Sequence, residues 1–115
     1  MDDEDVVREI LRETLTSYGY EVTLVKDGRE ALAEYKKARY DLVITDLTIP
    51  GGLGGRETIQ LLKAYDPDVK AVVSSGYANN PVMADYEKYG FCGCLDKPYI
   101  IDDLLRLIDS LVNGG

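Results

Sequence analysis

Three carboxylates, a pair of hydroxyls and one lysine recur at the same kind of place in this chain, just past short apolar runs. Asp46 closes the run Leu42-Val43-Ile44-Thr45, Ser74 and Ser75 follow Ala71-Val72-Val73, and Lys97 comes shortly after Phe91-Cys92-Gly93-Cys94-Leu95. Asp2 and Asp3 stand at the start. Carboxylates crowded into one place repel unless a cation joins them, and hard oxygen ligands suit magnesium. A lysine ammonium beside them supplies a compact positive charge for a phosphoryl oxygen. The chain contains no histidine. That removes Ser-His-Asp and Cys-His catalysis, histidine general bases and most zinc sites. Cys92 and Cys94 form a C-x-C with no further Cys or His to complete a metal site, so buried, inert thiols are expected.

Each of these residues also has a plain structural reading. Asp2, Asp3, Glu4 and Asp5 could serve as first-turn acids that complement a helix dipole. Asp46 could be a turn residue before Pro50, Ser75 could start a turn at Gly76, and Lys97 could be solvated. Whether they act together depends on the elements that carry them.

Residues 4–18 place Val7, Ile10, Leu11, Thr14 and Leu15 on one helical face, and Gly19 supplies a stop. Residues 21–25 read as a short strand. Asp27 and Glu30 have the spacing of a capping box, opening a helix that turns Ala31, Leu32, Tyr35 and Ala38 inward. Residues 41–46 are apolar in the middle, as strands covered on both faces are. The glycine-rich stretch 50–55 is a loop, followed by a helix to about Tyr65 with Ile59 and Leu62 inward. Residues 70–74 form another buried strand. Asn79-Asn80-Pro81 starts a weakly striped helix to Tyr89, and residues 91–95 a strand. The last helix carries Ile101, Leu104, Leu105, Ile108 and Leu111.

Alternating helices and short apolar strands predict a doubly wound α/β fold, a parallel sheet with helices on both faces. In such sheets ligands gather beyond the carboxyl ends of the strands. Asp46, Ser74, Ser75 and Lys97 all fall there, and Asp2 and Asp3 would end a first strand that the chain lacks. The coincidence at four strand ends favours a shared site over separate turn residues.

Asp2-Asp3-Glu4, Asp46-Leu47-Thr48-Ile49-Pro50-Gly51, Ser75-Gly76 and Lys97-Pro98 resemble, in order and spacing, the four signatures of response-regulator receiver domains. The glycine-rich loop, Ser74-Ser75-Gly76-Tyr77 and Gly90-Phe91-Cys92-Gly93 are most similar to receivers at the carboxyl end of hybrid sensor histidine kinases. The resemblance implies a flavodoxin-like sheet of order 2-1-3-4-5 over residues 1–115. It implies that Asp46 is the phosphoacceptor, taking a phosphoryl group from a sensor histidine kinase or a histidine phosphotransfer domain. Asp3, Asp46 and the backbone carbonyl of Thr48 would ligate Mg2+, with Asp2 holding a metal-bound water. Ser75 would hydrogen-bond the phosphoryl group and Lys97 would pair with it. A domain of this kind promotes its own phosphorylation and dephosphorylation without being a turnover enzyme alone. The resemblance also implies a cis peptide at Lys97-Pro98. Cys94 departs from the family, standing where an aromatic switch residue is common, whereas Tyr99 matches a common aromatic.

Other functions fit less well. An aspartyl phosphatase would want a carboxylate where Thr48 stands, and a flavin carrier would want a phosphate loop where Asp2-Asp3-Glu4 would repel one. A degenerate receiver acting only as an interaction module is disfavoured by the presence of Asp46, Ser75 and Lys97 together.

The 115 residues, 32 of them Leu, Ile, Val or Phe, suffice for one domain with one core. Thirteen basic against 21 acidic residues give a net charge of −8, which speaks against nucleic-acid or anionic-membrane binding. No apolar run approaches a membrane span and no signal peptide opens the chain, so a cytoplasmic domain is expected. Without a first strand, an ordinary isolated monomer is not expected. A fragment of a longer kinase, associating to cover exposed sheet edges, is the favoured reading; a partner chain in the gap, or direct closure of the flanking strands, are the alternatives.

Overall fold

The computed structural model describes residues 1–2, 4–38, 40–76, 80–97 and 99–113. Asp3 and Pro98, and with Pro98 the expected cis peptide, lie outside the described residues. The helices are α1 (Asp5–Ser17), α2 (Gly28–Lys37), α3 (Gly55–Tyr65), α4 (Pro81–Ala84) and α5 (Ile101–Val112). The strands are β1 (Val43–Asp46), β2 (Ala71–Ser75) and β3 (Gly93–Asp96), all parallel and ordered β1-β2-β3.

The sheet is covered on both faces, as the apolar strands require. Alternate residues of β2 point opposite ways. Ala71 and Val73 join Tyr35, Ile59, Leu62, Val82 and Phe91 on the α2–α3–α4 side. Val72 joins Leu11, Leu15, Leu95, Leu104 and Ile108 on the α1–α5 side. Burying side chains such as Ile59 and Leu62, both almost fully buried, contributes about 1.5–3 kcal/mol each.

Local signals place the ends of these elements. Asp27 caps α2 by accepting from the Arg29 and Glu30 amides, while Glu30 accepts from the Lys26 amide at 2.8 Å. The amide one residue before the cap thus takes the reciprocal bond of the box. Gly19 ends α1 at φ +91°, a conformation that suits glycine.

Five expectations need correction. Residues 21–25 do not join the sheet, although Val22 and Leu24 are half-buried between exposed Glu21 and Thr23 with the alternation of a strand. The flanking segments do not close on each other, because Met1 and Asp2 lie between them. Met1 N donates to Ile44 O at 2.6 Å, Asp46 N to Met1 O at 3.0 Å, and Asp2 N to Val25 O at 3.1 Å. The helix after Asn80 is one turn long and continues as a 3₁₀ turn, Tyr86–Tyr89. Ile10 is half exposed (47%), since only Leu11 and Leu15 of α1 reach the core fully. Finally, Cys92 precedes β3 and is exposed, so it is not a buried thiol; Cys94 is half-buried, and burial pushes its thiol up.

Candidate functional site at the carboxyl edge of the sheet

Parallel pairing brings the strand ends into line. Asp46 pairs in register with Ser74, and Ser75 with Asp96, so β1, β2 and β3 finish side by side. The β2–β3 ladder runs on to Lys97, whose amide donates to Ser75 O at 3.0 Å. That anchor places the lysine at the sheet edge. Its ammonium donates to Asp2 Oδ2 at 2.6 Å and to Asp46 Oδ2 at 3.1 Å.

The two carboxylates reach the lysine from different elements. Asp46 ends β1 and is buried, with Leu47 and Ile49 packed beneath the loop that follows it. Asp2 is 1% exposed, and its second oxygen accepts from the Glu4 amide at 3.0 Å at the entry to α1. Arg8 on α1 donates to the Asp2 carbonyl at 2.9 Å and pairs with Asp5. The glycine-rich loop lets α3 approach: a Cβ on Gly54 would sit 2.3 Å from the Leu47 carbonyl.

Electrostatics follow from this crowding. Burial raises the Asp46 carboxyl above the ordinary carboxylate value, and Asp2 adds to the rise. The Lys97 hydrogen bond and charge, and the Thr48 amide, act the other way. Burial alone would lower Lys97, but hydrogen bonds and charge from Asp2 and Asp46 outweigh it and hold the ammonium above its usual value. The lysine is therefore charged at neutral pH, clamped between two acids.

Of the residues singled out from the sequence, Asp2, Asp46 and Lys97 meet directly. Ser75 is buried next to them at the end of β2, and Thr48 lies exposed two residues beyond Asp46. Asp3 lies outside the described residues. Among the described residues, no three acidic, cysteine or histidine side chains cluster to hold a metal. Asp2 and Asp46 nonetheless fit a hard divalent cation. They are two anionic oxygen donors converging on one positive group, and burial and mutual repulsion leave Asp46 reluctant to ionise.

Sequence reading missed a second layer. Tyr99 OH donates to Ser74 Oγ at 2.9 Å, Ser74 Oγ to Thr45 O at 3.1 Å, and Thr45 Oγ1 to Val72 O at 3.1 Å. Burial raises the Tyr99 phenol, which keeps it a donor. The signal available was a serine and a threonine inside otherwise apolar strands, where buried hydroxyls need partners.

Comparison with known proteins points the same way. A family model described as the response regulator receiver domain matches residues 1–109. The chemotaxis protein CheY of Thermotoga maritima is 31% identical, with 86% of this chain and 82% of that protein aligned. The transcription factor SKN7 of Candida albicans is 28% identical over 96% of this chain, which spans only 20% of that much longer protein. Among solved structures, the receiver domain of the sensor histidine kinase PA1611 from Pseudomonas aeruginosa has a magnesium ion coordinated in its active-site cleft. It superposes with a TM-score of 0.89 at 26% identity, covering 100% of this chain and 94% of that one. The response regulator TrrA of Thermotoga maritima, in complex with Mg(2+)-BeF, gives a TM-score of 0.85 at 30% identity, over 96% and 93% of the two chains.

Proposed function

The chain belongs to the response regulator receiver family of two-component signalling, and on that premise we propose that Asp46 is its phosphoacceptor. The observation that carries this reading is the convergence of Asp2, Asp46 and Lys97 at the sheet edge. A carboxylate oxygen of Asp46 attacks the phosphorus of a phosphohistidine. The phosphorus–nitrogen bond breaks, its electron pair returns to the imidazole, and an acyl phosphate remains on Asp46. Such transfers depend mainly on positioning and on neutralising charge over the phosphoryl oxygens.

Each residue has a part in that demand. Lys97 favours the ionised, nucleophilic form of Asp46 against its burial, then pairs with the phosphoryl group. Ser75, held beside Lys97 by its backbone carbonyl, hydrogen-bonds a phosphoryl oxygen. Asp3, Asp46 and the Thr48 carbonyl would hold Mg2+, with Asp2 reaching it through water. When bound, the ion offsets the charge shared by the carboxylates and the incoming phosphoryl group.

The donor in this reading is a sensor histidine kinase or a histidine phosphotransfer domain, in the cytoplasm where phosphohistidine is made. The likeness to the PA1611 receiver, together with the loop and strand motifs, favours a place within a hybrid kinase. The test is incubation with acetyl phosphate, with Mg2+ or with chelator, followed by intact mass measurement. One added phosphoryl group that requires Mg2+ is expected. No uptake with Mg2+ present would leave the chain an interaction module.

A further inference from the structure

We propose that Tyr99 is a positioning residue for the acceptor carboxylate, acting through Ser74 on the peptide group that carries Asp46. The inference rests on Asp46 being the acceptor. The Thr45 carbonyl, which receives the Ser74 hydroxyl, belongs to the same rigid peptide plane as the Asp46 amide. On its other edge that plane is fixed by the Asp46 amide donating to Met1 O at 3.0 Å. Beside the β1–β2 ladder, the hydroxyl chain therefore adds a further hold on the plane from which the Asp46 side chain departs.

Tyr99 also decides which way that chain runs. A serine hydroxyl has one proton and can rotate it among acceptors. Because Tyr99 donates to Ser74 Oγ at 2.9 Å, the serine proton is turned to the Thr45 carbonyl, 3.1 Å away. Ser74 and Thr45 are both fully buried, so water does not take the place of a lost partner. The loop that carries Tyr99 also carries Lys97, whose ammonium holds the Asp46 carboxylate at 3.1 Å. One short segment thus grips the acceptor twice, at its carboxylate through Lys97 and at its backbone through Tyr99 and Ser74.

Tyr99→Phe keeps the ring and removes only the oxygen, and Ser74→Ala removes the relay. Phosphorylation by acetyl phosphate with Mg2+ is measured against donor concentration for wild type, each single variant and the double variant. In Tyr99→Phe the saturating rate is expected to fall about fivefold or more, since small misplacements of reacting groups cost this much, with half-saturation unchanged. Ser74→Ala falls at least as far, and the double variant matches Ser74→Ala, because Tyr99 has nothing left to act through. In Mg2+-free protein, the Asp46 amide nitrogen resonance shifts in Tyr99→Phe and shifts no further when that change is added to Ser74→Ala. A wild-type rate in Tyr99→Phe overturns the proposal. So do independent, additive losses in the double variant, or an Asp46 resonance that stays in place while thermal stability falls. Wild-type protein that takes up no phosphoryl group would instead refute Asp46 as acceptor, and the resonance shifts would still report on the relay.

Discussion

Asp46 is the residue on which burial and charge compete most openly, and the competition has a sign that melting experiments can read. Its carboxyl is raised by burial first, and the Lys97 contact only partly offsets this. An acid whose folded pKa lies above its unfolded one stabilises the fold fully below the unfolded value. That contribution is lost as pH rises through the folded one. Asp46→Asn has no proton to lose. In Mg2+-free protein, the variant is therefore expected to gain stability over wild type as pH climbs from below the ordinary carboxylate value toward neutrality. Thermal unfolding across that range checks it; a wild type that gains on the variant as pH rises would mean the Lys97 pair outweighs burial. Asp46 and Lys97 were legible as single residues because each follows an apolar run at a strand end. The Tyr99–Ser74–Thr45 chain was not, because its hydroxyls matter only through contacts between three separate elements.

At the scale of elements, periodicity found each helix, while pairing and length escaped it. Residues 21–25 have the alternation of a strand, yet a strand is defined by a neighbour, and alternation does not name one. The Asn80-Pro81 start was sound, with Asn80 capping the Val82 amide at 3.0 Å, but a weak apolar stripe gave no measure of where the helix would stop. The glycine-rich stretch 50–55 was legible only as a loop, and its close fit was not. Gly54 packs against the carbonyl of Leu47, the residue next to Asp46, and Gly51 adopts φ +76°. Gly54→Ala would set a methyl group 2.3 Å from that carbonyl, so backbone must move. The expected loss is about 1–3 kcal/mol, out of a total of about 5–15 kcal/mol for a domain this size. Urea unfolding reads it directly; an unchanged midpoint would show that the loop yields freely.

On the scale of the whole molecule, the sheet is not sealed on the side of β1. A groove of about 740 Å³ runs between residues 19–24 and 40–44, lined by apolar side chains such as Leu11, Leu15, Leu42 and Ile108 and by polar ones such as Glu21 and Asp41. A strand edge with leucines and isoleucines beside it favours pairing with another chain. Sedimentation velocity over a range of concentrations should show the 115-residue chain associating with itself; a monomer throughout would contradict this. Met1 lines this groove and also accepts the Asp46 amide, so the groove reaches toward the acceptor site. The most direct test of that site is chemical mapping. Protein treated with acetyl phosphate and Mg2+ is reduced with borohydride, which converts an aspartyl phosphate to homoserine, then digested and sequenced by mass spectrometry. Homoserine at position 46, absent in Asp46→Asn, is the predicted result. Homoserine at another aspartate, or uptake by Asp46→Asn at the wild-type rate, would contradict the assignment.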